Sequence, residues 1–130
     1  MSESLKLSIE LPASPETVYH AWLDGAEHAA FTGSPARIDP RVGGKYEAWD
    51  GYISGVTQGL QPPRRIVQTW RTTEFPEDAP DSLLEVLIEP IGTGTQLTLV
   101  HTQIPDGQSK EYEQGWQDYY FEPMKAYFEK

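Results

Sequence analysis

The sequence predicts an α+β protein in which a curved antiparallel sheet of about six to seven strands wraps a long carboxy-terminal helix. Three observations carry this reading. From Ala36 to Gln103, short alternating segments are separated by turn signals, the pattern of consecutive antiparallel strands. Between Glu111 and Lys130 the pattern changes: Tyr112, Trp116, Tyr119, Tyr120, Pro123 and Tyr127 recur at steps of three and four, along one stripe of a helix. The order of strand, two short helices, strands and long helix also suits an α+β arrangement better than a doubly wound one. The aromatic stripe needs a large cover, and the strand-rich segment is the candidate for it. A helix laid across a curved sheet in this way often encloses a cavity.

Leu5 to Leu11 alternates apolar and polar residues and reads as a half-buried strand ended by Pro12. Ser14-Pro15-Glu16 then opens a helix, with a capping hydroxyl, a proline at the first helical position and an acid at the positive end. Val18, Tyr19, Trp22 and Leu23 supply its buried face. Asp24-Gly25 breaks this helix, and Asp24 caps a second one over Ala26 to Phe31, closed by Thr32 to Pro35. Gly43-Gly44 leads into the strand Lys45 to Trp49, and Asp50-Gly51 predicts a two-residue hairpin turn. The returning strand, Tyr52 to Leu60, carries Gly55 and Gly59 as bulges or close approaches. Pro62-Pro63 ends it. Strands follow at Arg65 to Thr73, Ser82 to Glu89 and Thr95 to Gln103, the first two joined by the acidic, proline-rich loop Glu74 to Asp81, read as the mobile segment. Pro105-Asp106-Gly107 introduces the terminal helix, residues 108 to 129. There Gly115 should admit a neighbouring backbone, and Pro123 should kink the rod near Tyr119.

A chain of 130 residues reads as one domain over 1–130, enough to bury roughly two-thirds of its unfolded surface. With 20 acidic against 10 basic residues its formal charge is −10, which argues against nucleic acid and against anionic membrane surfaces. The absence of cysteine excludes disulfides, thiolate metal sites and cysteine nucleophiles. No signal peptide is visible, and no stretch approaches the ~18 apolar residues of a membrane span, so a cytoplasmic location is expected.

Strand parity selects candidate site residues. Leu97, Leu99 and His101 share one face; Leu84, Val86 and Ile88 oppose Glu85 and Glu89; Ile66 and Trp70 flank Gln68. The inner wall then carries Trp70, His101 and the hairpin aromatics, facing Trp116 and Tyr120. His101 on an apolar face reads first as a hydrogen-bonded core histidine and second as a ligand contact. His20 and His28 read as surface residues. Three scattered histidines without His-x-Glu or His-Glu-x-x-His spacing give no metal signal, and neither Gly-x-Ser-x-Gly nor a phosphate loop is present. No catalytic residue and no cofactor is assigned.

Five segments resemble the activator of heat-shock-protein-90 ATPase homologue family. They are Pro12 to Tyr19, Arg41 to Tyr46, Gly51 to Gly55, Pro63 to Arg71 and Gly115-Trp116-Gln117-Asp118-Tyr119-Tyr120-Phe121. They fall in order along nearly the whole chain and are most similar to the carboxy-terminal domain of the eukaryotic co-chaperone. The resemblance implies the START-like helix-grip fold of the SRPBCC superfamily, shared with the birch-pollen allergen, often with an internal cavity. Three functional expectations follow. The first is a non-enzymatic module holding a small hydrophobic or aromatic ligand between helix and sheet, contacted by Trp22, Tyr46, Trp49, Trp70, His101, Trp116 and Tyr120. The second is a co-chaperone-like partner of a heat-shock-protein-90 type chaperone; in the eukaryotic protein a separate amino-terminal domain engages the chaperone, and no room for one is expected here. The third is a cyclase or hydrolase of the same superfamily.

Overall fold

The computed structural model describes residues 2–129. Seven strands form one antiparallel sheet: β1 (Ser2–Leu11), β2 (Arg37–Ile38), β3 (Lys45–Ala48), β4 (Ile53–Gln61), β5 (Arg65–Thr72), β6 (Ser82–Ile91) and β7 (Gly94–Pro105). Their spatial order is β1-β7-β6-β5-β4-β3-β2. Every strand after β1 therefore lies beside its sequence neighbour, and β1 closes on β7, the last strand. Helices α1 (Pro15–Leu23) and α2 (Gly25–Thr32) follow β1. At the carboxy terminus α3 (Ser109–Gly115), a π-helical turn (Trp116–Phe121) and α4 (Glu122–Phe128) run on as one rod, helical at both junctions. This is the helix-grip fold that the sequence predicts.

The local signals act as expected at the first two helices. The Ser14 side chain accepts the Thr17 amide at 3.2 Å, and Asp24 Oδ2 accepts the Glu27 amide at 2.9 Å. Gly33 ends α2 in the left-handed region, φ 80°. The terminal helix lacks a cap of its own, and Glu3 of β1 supplies one: its carboxylate accepts the Ser109 amide at 3.1 Å. Hydrogen bonds from the Ser109 side chain first, then from the Gly107 and Ser109 amides, hold the Glu3 carboxyl below its ordinary range.

Two bulges bend the sheet. One lies on β4 between Thr57 and Gly59, where Gly59 was expected to allow it. The other is an extra residue on β7 opposite Glu3 to Leu5, with Gln103 at φ 61°. Gly55 is the close approach: a Cβ there would lie 2.0 Å from the Thr69 carbonyl oxygen and 2.8 Å from Tyr46 Cε1.

Several expectations are corrected. The β3–β4 connection is not a two-residue turn, because Trp49, Asp50 and Gly51 all take positive φ and the strands resume only at Ile53. The loop Glu74 to Asp81 is tied down: Arg71 bonds Asp81 at 2.7 Å and the Pro76 carbonyl at 2.9 Å, and Phe75 is buried beside Trp70. Gly115 receives no backbone, since a Cβ would meet only Tyr119 Cδ2 at 3.9 Å.

The proline acts through the π turn rather than a simple bend. In an α-helix its ring would crowd the carbonyl four residues back, that of Tyr119. Here the turn ahead of Pro123 is widened, with the Glu122 amide bonding the Gln117 carbonyl five residues back. The inserted residue changes the phase of the stripe. Tyr112, Trp116, Tyr120, Phe121 and Met124 face the core, and Tyr119 is 59% exposed.

A candidate ligand cleft beneath the terminal helix

A cleft of about 430 Å³ opens between the terminal helix and the β3–β4–β5 side of the sheet. Trp49 and Tyr52 come from the β3–β4 connection, Ile53 from β4 and Trp70 from β5. Glu111, Tyr112, Gly115, Trp116, Tyr119 and Tyr120 come from the helix. Seven of these ten residues are aromatic, and Glu111 is the single carboxylate among them. The ring edges lock together: Trp49 meets Tyr119 edge-on at 5.5 Å, Trp70 lies 5.6 Å from Trp116, and Trp116 lies 4.8 Å from Tyr120. Gly115 leaves open the space that a side chain would fill.

Of the seven residues expected at a ligand site, Trp49, Trp70, Trp116 and Tyr120 line this cleft. Trp22, Tyr46 and His101 are buried behind it, and each is engaged by the core. Trp22 Nε1 donates to Gln68 Oε1 at 3.2 Å, and Gln68 Nε2 donates to Thr57 Oγ1 at 3.2 Å. Tyr46 Oη donates to the Thr69 carbonyl at 2.6 Å. Tyr52, Ile53, Glu111 and Gly115 join the lining without having been singled out for it. Tyr112 and Tyr119 already stood on the aromatic stripe, so spacing alone could have nominated them.

The two buried histidines are tautomer-locked. Trp116 Nε1, which can only donate, points at His101 Nδ1 at 3.2 Å, so the ring proton sits on Nε2. That N–H faces Ser82 Oγ at 2.8 Å, and the serine hydroxyl donates to the Trp70 carbonyl at 2.8 Å. The pair has the separation of a nucleophile and base but the opposite polarity: His101 holds the proton and cannot take one from Ser82. Burial pushes its pKa down to about 3. His28, expected at the surface, is 3% exposed because α2 turns it under the helix. Its Nδ1 donates to the Trp22 carbonyl at 3.0 Å, so Nε2 accepts the Tyr120 hydroxyl at 2.8 Å. Burial lowers its pKa to about 4, against a smaller opposing effect of the Trp22 carbonyl. Each histidine therefore anchors one ring of the terminal helix.

At the mouth, Tyr52 Oη donates to the Glu74 carboxylate. Tyr112 Oη donates to Gln108 Oε1 at 2.6 Å and lies 2.7 Å from Thr72 Oγ1. Loss of hydration, then the neighbouring Glu74, hold the Glu111 carboxyl above its ordinary range. Away from the cleft, ligand atoms of His20, Asp24 and Glu27 gather within 4.8 Å. Asp24 is occupied as the α2 cap, and His20 pairs with Glu27 at 3.2 Å.

The sequence profile of the activator of Hsp90 ATPase homologue 1-like proteins matches residues 12–129. The chain belongs to this family. Among curated relatives of this Hsp90-activator family, the human activator of 90 kDa heat shock protein ATPase homologue 1 is 35% identical over 115 residues. That alignment covers 88% of this chain and 34% of the human protein. The Dictyostelium discoideum homologue is 30% identical over 98% of this chain and 33% of its own length. The chain thus spans about a third of the curated relatives it matches. An Hsp90 activator from Plasmodium falciparum superposes with a TM-score of 0.88 at 24% identity, covering 95% of this chain and 94% of that one, a likeness of fold. A Chromobacterium violaceum protein superposes at 0.79 with 28% identity, covering 98% and 97% of the two chains. Among the described residues, no helix is long and apolar enough to cross a membrane.

Proposed function

We propose that this family member is a single START-like ligand-binding module that holds a small apolar or aromatic molecule in the cleft under the terminal helix. The observation that carries this is the cleft itself, about 430 Å³ walled by seven aromatic side chains. Ligand sites are typically concave, mostly apolar and a few hundred Å³ in volume. The rings are held from behind by the two histidine networks, so the walls need little reordering when a guest enters. Trp49, Trp70 and Trp116 lie in the wall and report binding directly. Titration with flat apolar probes such as naphthalene derivatives should shift tryptophan emission and raise the melting temperature. Unmoved emission and melting temperature across such a panel would refute the reading. Chemistry on the guest is not part of it, because Ser82 and His101 are paired with the wrong polarity for proton abstraction.

A second reading rests on the relatives named as activators of the 90 kDa heat shock protein ATPase, with 35% identity to the human one. In it, this chain engages a chaperone of that type in the cytoplasm. ATP turnover by such a chaperone, with and without this protein, tests it: an unchanged rate together with no co-sedimentation removes it.

A further inference from the structure

Resting on the ligand-binding reading, we propose that the cleft selects an organic cation: an apolar or aromatic body carrying a protonated amine or quaternary ammonium group. Two features of the lining support this choice over a neutral or anionic guest. The first is the aromatic wall, in which Trp49, Trp70, Tyr112, Trp116 and Tyr119 surround the space. The π faces of such rings attract cations, tryptophan most strongly. The second is the sign of the charge at the mouth. Glu111 lines the cleft, and among the described residues no lysine, arginine or histidine does.

Glu74 stands beside Glu111, anchored by the Tyr52 hydroxyl and by its own amide on Thr72 Oγ1 at 3.1 Å. The two carboxylates repel, and the upward shift of Glu111 has this contact among its causes, after loss of hydration. A cation at the mouth would relieve that repulsion, whereas an anion would add to it. Arg71 of β5 is already held by Asp81 and the Pro76 carbonyl and covers the Phe75 ring at 5.4 Å. The formal charge of −10 acts in the same direction at longer range.

The test is a matched series of naphthylmethyl probes bearing trimethylammonium, hydroxymethyl or carboxylate, titrated by tryptophan fluorescence and calorimetry on the whole chain. The cation should bind at least about fivefold more tightly than the neutral probe, and the anion most weakly. Glu111→Gln, at an exposed position, should keep the melting temperature while shrinking the cation's advantage over the neutral probe severalfold. Equal affinities, a preference for the anion, or an unchanged ratio in Glu111→Gln would overturn the selectivity while leaving the ligand-binding reading intact. If none of the three binds, both fall together.

Discussion

His101 and His28 are the residues whose chemistry is most completely defined. Each ring nitrogen has a partner of known donor character, and each ring is neutral, so folding withdraws both from protonation. Their ordinary pKa is 6.5, lowered in the fold to about 3 for His101 and about 4 for His28. The unfolded chain therefore binds the extra protons below pH 6.5. Stability should be complete above that value and fall as pH drops, by roughly 1.4 kcal/mol per pH unit for each histidine, until the folded-state value is reached. Urea unfolding between pH 7 and pH 5 measures this, and a flat profile would contradict it. Tyr120→Phe removes the hydroxyl that donates to His28 Nε2 and leaves a buried acceptor without its partner. It should cost about 1–3 kcal/mol in the same assay. It should also move the His28 ring signals in NMR while leaving those of His101 in place.

At the scale of elements, the sheet depends on two glycines of β4 that play different parts. A methyl group at Gly55 would collide with the Thr69 carbonyl at 2.0 Å, backbone that cannot move without breaking the β4–β5 ladder. At Gly59 the nearest atom is Val67 Cβ at 3.8 Å, an ordinary contact. Gly55→Ala should therefore lose at least ~2 kcal/mol or fail to fold, and Gly59→Ala should stay within about 1 kcal/mol. Denaturant midpoints of the two variants decide it; equal losses would show that the approach at Gly55 is not a constraint. The terminal helix is governed likewise by one residue. Pro123 cannot donate, the turn ahead of it widens, and the extra residue swings Tyr119 outward while bringing Phe121 into the core. A strict 3.6-residue stripe read from the sequence misses this change of phase by one position.

For the whole molecule, the question is whether the aromatic wall is packing alone or also a binding surface. Trp116 cannot separate these roles, because it is buried and bonded to His101, and Trp116→Ala should cost about 3–5 kcal/mol in either case. Tyr119 can separate them. It lines the cleft yet is 59% exposed, so Tyr119→Ala should change stability by no more than about 0.5 kcal/mol while weakening probe binding severalfold. An unchanged probe affinity would mean that the guest sits elsewhere.

The sequence by itself determined the order of elements, both helix caps, the inward face of β5, β6 and β7, and the aromatic character of the terminal helix. These depend on period and on neighbours within a few residues, so they are legible without coordinates. The family followed from motifs spread in order along the chain. Only the tertiary structure decided which aromatics are core and which line the cleft. Tyr46 and His101 share inward parity with Trp70, yet they lie behind it with Trp22 of α1, because parity names a face of the sheet and not a depth beneath the helix. The burial of His28 depends on Tyr120, a partner distant in sequence, and the carboxylate pair at the mouth depends on Glu74 of the β5–β6 loop lying beside Glu111. Contacts of that range depend on how the sheet curves and how the helix crosses it, and no local periodicity encodes them.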